Sequence, residues 1–322
     1  MTTKIDPSKN ANVERHVRQF LYQLNSGGGK PLETLTPVEA REVLVSAQKG
    51  AKLPPCDVED RRIEQDGTEV KITVVRPKGA TGVLPVFMFF HGGGWILGDY
   101  PTHERFVRDL VVDTGYAAAF VNYTRSPEAH YPTAIHEAFA ATKWVAKHGR
   151  EIDVDPTRLA IVGNSVGGNM TAVVALMARA NGGPEIKCQV MFWPVTDTDF
   201  ETQSYNEYDE GYFLTKSMMK WFWDAYTTDA KQRKEIYASP LQATIEQLKD
   251  LPPAMVQTAG NDVLRDEGEA YARKLDEAGV DVTAVRYEGL IHDYGLLNGL
   301  SEIPAVRDAL HQAAEMLKKH LK

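Results

Sequence analysis

Leu159-Ala-Ile-Val-Gly-Asn-Ser-Val-Gly-Gly-Asn-Met170 carries the clearest structural signal in the chain. Its apolar start, Leu159 to Val162, is typical of a buried strand, and the small residues from about Gly168 to Arg179 predict a helix. The G-x-S-x-G pattern between them places Ser165 on a sharp turn, because residues without a Cβ are needed two positions on either side. We interpret Ser165 as a nucleophile facing the positive end of the helix. The alternative is an incidental serine between two loop glycines.

The composition limits the class of protein. The chain has 322 residues, 43% of them hydrophobic and 25% charged, which is enough apolar material for one large core. A formal net charge of −8 argues against nucleic acid as a partner and favours a cytoplasmic protein, although the simpler view is that it serves solubility. Cys56 and Cys188 make neither a disulfide framework nor a zinc-ligand set. No apolar run approaches about 18 residues, and the first residues lack an apolar signal core, so we expect neither a membrane span nor export.

Two helices are predicted before the first strand. Apolar residues from Val13 to Leu24 recur at helical spacing and end at a glycine run. Thr36-Pro-Val-Glu39 is a capping box with proline at the first helical position, and it opens a second helix that ends near Gly50. Helices that precede all strands do not belong inside the sheet. We therefore expect residues 1–55 to lie over the sheet as part of a lid.

The remaining residues, 56–322, predict an α/β domain. Two alternating segments around Asp66-Gly67 indicate a hairpin. Short apolar runs then alternate with helical patterns, which is typical of a mostly parallel sheet covered by helices on both faces. These runs are Leu84 to Phe90, Ala117 to Asn122, Leu159 to Val162, Cys188 to Trp193, Ala254 to Thr258 and Val282 to Tyr287.

One long interval, residues 197–237, breaks this alternation and is rich in aromatic side chains. An insertion after a strand lies above the carboxyl ends of the strands, where a lid belongs. We therefore assign residues 197–237 a contribution to a helical cap. For Trp221 to Tyr226 we favour the simpler interpretation, a helix that packs its aromatic side chains into the core.

A serine nucleophile needs a histidine base, which follows it in the chain order of such turns. After Ser165 the candidates are His292, His311 and His320. The last two lie in a charged C-terminal helix, where they are expected to be solvated. His292 follows a predicted strand directly, which places it at the same edge of the sheet as Ser165, so we assign it as the base.

The base needs a carboxylate that fixes its tautomer. Asp262 is the first acid after the strand that begins at Ala254, and we assign it to orient His292. Asp266, one turn later, is the alternative. Asp293, next to the histidine, is expected to point away from it.

A glycine run after the strand Leu84 to Phe90 supplies the third element of the site. His91-Gly-Gly-Gly94 exposes backbone N–H groups with no side chain in the way. A phosphate cradle is the rival use, but no lysine stands at the spacing of a P-loop. We expect an oxyanion hole formed by the N–H groups of Gly92, Gly93 and Val166.

Taken together, His91-Gly-Gly-Gly94 and Gly163-Asn-Ser-Val-Gly-Gly168 resemble the hormone-sensitive lipase family of α/β-hydrolases, which includes bacterial carboxylesterases. The resemblance extends from about Val70 to the C-terminus. It implies an α/β-hydrolase fold with a helical cap, hydrolysis of short acyl esters, the triad above, neither cofactor nor metal, and a possible homodimer. Further family-like segments are Tyr123, Pro127-Glu128, Tyr131-Pro132, Glu210-Gly-Tyr-Phe-Leu-Thr215 and Asp262-Val-Leu-Arg-Asp-Glu267.

Two residues depart from the family pattern. Asn164 stands where an acidic residue or threonine usually precedes the serine, and Val166 stands where alanine usually follows it. Valine keeps the backbone donor but adds a branched side chain that can crowd the pocket. Asn164 can alter the hydrogen bonds that hold the loops together.

The sequence therefore predicts a serine carboxylesterase that acts through an acyl-enzyme on a small ester. Trp95, Asn164 and Tyr205 are the candidates for the substrate pocket, although Trp95 serves equally well as a residue that packs against the cap. Two alternatives stay open. One is hydrolysis of another acyl bond, an amide, lactone or carbamate, and the other is a non-catalytic receptor of the same fold.

Overall fold

A central sheet of eight strands organises the computed structural model, which describes residues 6–322. The strands are β1 Cys56–Gln65, β2 Thr68–Pro77, β3 Leu84–Phe90, β4 Ala117–Asn122, β5 Val154–Asn164, β6 Gln189–Phe192, β7 Ala254–Asn261 and β8 Val282–Ile291. Their order in the sheet is β1-β2-β4-β3-β5-β6-β7-β8. β1, β2 and β4 pair antiparallel, and every pair from β4 to β8 is parallel, which confirms the mostly parallel sheet.

The helices follow the predicted alternation. They are α1 Arg15–Ser26, α2 Pro37–Ala47, α3 Tyr100–Thr114, α4 Thr133–His148, α5 Val166–Ala180, α6 Gln203–Glu207, α7 Lys216–Tyr226, α8 Ile245–Leu248, α9 Arg265–Glu277 and α10 Pro304–His320. α3 packs against α10, and α4 packs against α5. Every residue of β3 after Leu84 is buried, and successive residues of a strand point to opposite faces. Both faces of the central strands are therefore covered.

The strand at one edge of the sheet, β8, departs from the predicted buried run. Its residues from Val282 to Tyr287 are half-buried or exposed, and only the last two residues of the strand are buried. β8 has a hydrogen-bonded neighbour on one side only, so fewer elements cover it. The expectation of a continuously buried strand is wrong here, because periodicity does not reveal a strand's place in the sheet.

The two N-terminal helices contact the end of β8 and the loop after β3. The Thr36 capping box opens α2 as predicted. The Glu14 N–H, just before α1, donates to the Gly289 carbonyl near the end of β8 at 2.9 Å. On α2, Arg41 donates to the Ile96 carbonyl in the loop after β3 at 2.8 Å. Both helices therefore stand at the carboxyl edge of the sheet.

Residues 197–237 hold α6 and α7. The aromatic residues Phe222, Trp223 and Tyr226 of α7 are buried, as predicted, whereas Trp221 is only half-buried. The division into residues 1–55 and 56–322, with 197–237 joining the cap, stays a prediction. Between residues 6 and 322, the helices are all too short or too polar to cross a membrane.

Candidate active site

Ser165 occupies a strained turn between β5 and α5. Its backbone has φ 55° and ψ −122°, a left-handed conformation that costs energy for any residue with a side chain. A Cβ on Gly163 would lie 2.1 Å from the Gly167 carbonyl oxygen, and one on Gly167 would lie 1.9 Å from the Phe90 carbonyl oxygen. The two glycines are therefore required by close backbone contacts, as the motif predicted. The turn places the Ser165 hydroxyl against the cavity described below.

His292 and Asp262 lie beside this serine. The Ser165 hydroxyl is 3.0 Å from His292 Nε2, and His292 Nδ1 is 2.8 Å from Asp262 Oδ2. An ionised carboxylate only accepts hydrogen bonds, so Nδ1 carries the proton and Nε2 is free to accept the serine proton. All three side chains are buried. The structure thus brings together the three residues that were selected from different parts of the sequence.

The alternative acid is directed elsewhere. Asp266 Oδ2 accepts the Ser204 N–H at 2.8 Å, and its Oδ1 lies 2.9 Å from Arg265. Asp262 sits at the end of β7, whereas Asp266 is in the first turn of α9 and holds the segment that begins α6. The structure therefore favours Asp262 as the partner of His292.

Two opposing effects act on the pKa of the His292 imidazole. Burial alone would lower its pKa, but the charges of Asp262 and Asp293 and the hydrogen bond to Asp262 outweigh that effect and raise the pKa above its usual value. The side chain is therefore a stronger base than a free histidine, which suits proton abstraction from a hydroxyl.

Asp293 does not point away from the histidine, contrary to expectation. Its Oδ1 lies 3.9 Å from His292 Nε2, on the side of the ring that faces Ser165. The residue has a positive φ of 58°, and this turns the side chain inward. Sequence reasoning missed this second carboxylate because a positive φ after a histidine leaves no signal in hydrophobic periodicity.

The glycine loop after β3 contributes to the same site. Gly93 and Gly94, with φ of 105° and 62°, line the cavity together with Ser165 and His292. The Gly92 N–H instead donates to Asn164 Oδ1 at 3.0 Å, inside the protein. This bond conflicts with the expected role of Gly92 as an oxyanion donor. The neighbouring Gly94, which was not predicted to be a donor, lines the cavity instead.

A cavity of about 540 Å³ opens over Ser165 and His292. Its walls are mainly apolar and come from the N-terminal helices, from residues 210–222 and from the loop after His292. The apolar side chains of this wall are Phe20, Leu24, Pro31, Leu32, Val43, Leu44, Ala47, Leu97, Phe213, Leu214, Met218, Phe222 and Leu297. The volume lies within the ordinary range for a small-molecule site.

The three pocket candidates from the sequence lie outside this wall. Trp95 is fully buried and stacks on Tyr226 with ring centroids 4.0 Å apart, so it packs against α7. Tyr205 is fully buried against Phe200, and Asn164 holds Gly92. The expectation that these residues contact substrate is wrong, because their side chains are used in packing and in a hydrogen bond. The apolar residues of α1 and α2 that do line the cavity were not singled out.

Serine hydrolases with an α/β fold carry their nucleophile, acid and histidine in this chain order at the carboxyl edge of a parallel sheet, and the protein is of that class. The sequence pattern of the α/β hydrolase fold family matches residues 87–296, more than half of the chain. The chain belongs to this family.

Individual relatives extend the comparison over nearly the whole chain. The crystal structure of a thermostable esterase from Pseudomonas putida is 61% identical, superposes with a TM-score of 0.96, and covers 97% of this chain and 99% of its own. A protein named as an α/β hydrolase in Acanthamoeba polyphaga mimivirus is 36% identical over 96% of this chain and 88% of its own length. An ethyl acetate hydrolase of Pseudomonas putida is 30% identical over 94% of this chain and 96% of its own length.

These comparisons confirm three predictions from the sequence. The resemblance to the lipase- and carboxylesterase-like α/β-hydrolases is confirmed, and so is the fold class. The prediction that the chain is a carboxylic ester hydrolase is confirmed by relatives that carry the names esterase and carboxylesterase. The homodimer and the cytoplasmic location stay predictions.

Proposed function

We propose that this protein is a serine carboxylesterase that hydrolyses short-chain acyl esters, with Ser165 as nucleophile, His292 as base and Asp262 as the carboxylate that orients the base. The observation that carries the proposal is the hydrogen-bonded series from Ser165 Oγ to His292 Nε2, at 3.0 Å, and from His292 Nδ1 to Asp262, at 2.8 Å. The proposed mechanism uses these three side chains, backbone N–H donors and water.

In the first half-reaction, His292 Nε2 takes the proton of the Ser165 hydroxyl while the oxygen attacks the ester carbonyl. The resulting tetrahedral intermediate carries a negative oxygen. The imidazolium then gives its proton to the departing alkoxide, and the acyl group stays on Ser165. Asp262 stabilises the imidazolium through the Nδ1–H bond.

In the second half-reaction, water replaces the serine as the nucleophile. His292 Nε2 takes a proton from this water, and the hydroxide adds to the acyl carbonyl. Collapse of the second intermediate breaks the acyl–Ser165 bond, and the proton returns to the serine oxygen. The products are one carboxylic acid and one alcohol for each ester and water consumed.

For the oxyanion we propose the N–H groups of Gly93, Gly94 and Val166. Gly93 and Gly94 line the cavity beside Ser165, and Val166 is the first residue of α5, where N–H groups have no partner within the helix. Gly92 is left out because its N–H is bound to Asn164. Removal of one such donor typically slows turnover by about 10²–10³-fold.

We further propose that α1, α2 and residues 197–237 form a cap that limits the size of the substrate. The two parts of this cap meet across the cavity: Phe20 of α1 and Phe213 have ring centroids 6.3 Å apart, and the Ser217 hydroxyl donates to Glu33, between α1 and α2, at 2.5 Å. A cavity of about 540 Å³ suits a short acyl chain. The ethyl acetate hydrolase among the relatives is consistent with a short acyl group.

The test is hydrolysis of a series of p-nitrophenyl esters of increasing chain length by the wild type and by Ser165→Ala. We expect the shortest esters to react fastest, and Ser165→Ala to lose at least about 10⁴-fold in kcat with the fold intact. Undiminished turnover by Ser165→Ala would refute the assignment. Amide, lactone and carbamate substrates in the same series decide which acyl bond is preferred.

A second measurement separates the enzyme from a binding protein of the same fold. An organophosphonate should add covalently to Ser165, and mass spectrometry of the peptide that contains it should show the adduct. Binding of an ester analogue without any adduct would favour the receptor alternative.

A further inference from the structure

Asp293 makes three polar contacts in the interior of the active site. Its Oδ1 accepts the indole N–H of Trp193 at 2.8 Å and the amide N–H of Asn164 at 3.2 Å, and it lies 3.9 Å from His292 Nε2. Asn164 in turn accepts the Gly92 N–H at 3.0 Å. A continuous path therefore connects the loop of the base, the residue before the nucleophile and the first glycine of the proposed oxyanion loop.

The orientation of the Asn164 amide follows from its partners. A backbone N–H is only a donor, so the atom facing Gly92 is the oxygen and the nitrogen faces Asp293. The same nitrogen lies 3.5 Å from His103 Nε2. His103 Nδ1 lies 3.2 Å from the Asp99 carbonyl oxygen, which only accepts, so Nδ1 carries the proton and Nε2 is an acceptor. Both amide hydrogens of Asn164 thus meet acceptors.

We propose that Asp293 and Asn164 form one positioning unit for the reaction, in which the carboxylate of Asp293 supports the protonated state of His292 and, through Asn164, fixes the loop that carries the oxyanion glycines. The inference rests on the proposed serine-hydrolase function and adds a second carboxylate to it. It also explains the departure of Asn164 from the family pattern. Where the family usually carries an acidic residue or threonine before the serine, this chain carries an amide bonded to a carboxylate from the base loop.

The ionisable groups nearest this unit are uncharged or bonded to other partners. Burial lowers the pKa of His103 to about 4 and holds that of His91 well below its usual value, so both are neutral near pH 7. Burial holds the pKa of Glu267 well above its usual value. The guanidinium of Arg105 is bound to Asp109 and to the Gly295 and Leu296 carbonyls. His292 therefore faces two carboxylates, Asp262 directly and Asp293 across 3.9 Å.

Asp293→Asn separates the charge from the hydrogen bonds. Both N–H donors approach the same atom, Oδ1, so an asparagine oxygen can accept both, and asparagine tolerates the positive φ. Loss of the negative charge makes the imidazolium less favourable. We expect the acid limb of kcat/KM to move to lower pH by about one unit and the plateau of kcat to fall about 10-fold.

Asn164→Asp tests the second half of the proposal. The new carboxylate faces Asp293 and the unprotonated His103 Nε2, and both repel it. This repulsion should displace the glycine loop, and we expect kcat to fall about 100-fold. In the double variant Asn164→Asp/Asp293→Asn the two like charges no longer oppose each other. We expect its kcat to be at least about 10-fold higher than that of Asn164→Asp alone, a non-additive result.

The matched control is Asp266→Asn, which removes a carboxylate near the same edge that does not contact His292. Its acid limb should stay in place. An unmoved limb in Asp293→Asn, or a double variant no faster than Asn164→Asp, would overturn the proposal. Should Asp293→Asn not fold, Asn164→Ser removes the amide without adding charge. It should lower kcat and leave the limb in place, and an effect on KM alone would count against the unit.

Ser165→Ala distinguishes this inference from the function beneath it. If that variant keeps full activity, the proposed triad fails. If it is inactive and the Asp293 and Asn164 variants behave like Asp266→Asn, the triad stands and the positioning unit alone fails.

Discussion

The two walls of the active-site cavity are built in different ways. The catalytic wall consists of Ser165, His292, Asp293 and the glycine loop: Ser165 is hydrogen-bonded to His292, and Asn164 connects Asp293 to the loop at Gly92. The facing wall, the proposed cap, includes Leu24 and Val43, which are 46% and 50% exposed although both line the cavity. Close contacts, many of them to backbone atoms, therefore fix the positions of the catalytic groups, and few substitutions would preserve them. The shape of the substrate cavity depends instead on individual side chains, each of which can be substituted without disturbing the others.

Gly167→Ala should break the catalytic wall most severely. The new Cβ would lie 1.9 Å from the carbonyl oxygen of Phe90, a backbone atom of β3 that has no room to move. We expect activity to fall at least about 100-fold and the free energy of unfolding to drop by about 3 kcal/mol, the upper range for an overpacked core. Ester hydrolysis and urea denaturation measure the two effects. The control is Gly29→Ala, which meets nothing within 4 Å, and equal stability of both variants would contradict the argument.

Gly94→Ala should show that side chains of the cap wall can move to accommodate a substitution. Here the Cβ would lie 2.1 Å from Phe222, a side chain of α7 rather than backbone. The variant also carries the cost of a φ of 62°. We expect kcat/KM to fall about 10- to 100-fold, because Phe222 must shift into the cavity.

The double variant Gly94→Ala/Phe222→Ala provides the control for that prediction. Removal of the ring should recover much of the lost kcat/KM, since the steric conflict is with that side chain. If kcat/KM of the double variant is lower than that of Gly94→Ala alone, Phe222 is itself needed for catalysis, and the two walls do not act independently at this point.

The same contrast explains which features were predictable from the sequence. The strand, turn and helix around Ser165 follow local rules, so Ser165, Asp262 and His292 were identified from chain order and position after strands. The pocket was not, because Phe20 and Phe213 are almost two hundred residues apart and meet only in the folded chain. Trp95 follows the glycine loop and was therefore a reasonable pocket candidate. Its ring instead stacks on Tyr226 and packs against α7.

Errors of a second kind came from backbone conformation. Asp293 was expected to point away from His292, and Gly92 was expected to donate to the oxyanion. A positive φ turns Asp293 inward, and a hydrogen bond to Asn164 occupies Gly92. Neither feature has a sequence pattern, and both depend on partners contributed by other strands.

The pH dependence of hydrolysis tests the electrostatics of the catalytic wall. The pKa of His292 is raised above its usual value, so the imidazole takes up a proton at a higher pH than a free histidine does. Only the neutral ring accepts the serine proton. We therefore expect kcat/KM to fall about 10-fold for each pH unit below that raised pKa, with the midpoint above about 6.5.

The profile should be measured on a short p-nitrophenyl ester, with circular dichroism at each pH to show that the fold persists. A midpoint near 4 would instead match His103, whose pKa burial lowers to about 4. That outcome would assign the titration to a residue beneath the glycine loop and remove the electrostatic argument for His292.

The smallest effects are expected where α2 is attached to the rest of the protein. Arg41 donates to the Ile96 carbonyl at 2.8 Å, to the Ser126 carbonyl at 2.9 Å and to both carboxylate oxygens of Glu128 at 2.7 Å. Arg41→Ala removes all four bonds. We expect KM to rise a few-fold, roughly 3- to 10-fold, and kcat to stay within about 2-fold, because the helix shapes the cavity without touching the reacting atoms.

Glu128→Gln is the matched variant, since it removes the charge and leaves the carbonyl bonds of Arg41 in place. Its effect should be smaller still, because exposed ion pairs contribute only about 0–1 kcal/mol. Hydrogen bonds from Arg41 lower the pKa of Glu128 to about 2, so this contribution is present above the unfolded value and is lost only as the pH falls through about 2. The ratio of the wild-type KM to the KM of Glu128→Gln should therefore be constant across the pH range of the assay. A fall in kcat of about 10-fold or more in Arg41→Ala would mean that the attachment of α2 also holds the glycine loop, and the contrast between the two walls would fail there.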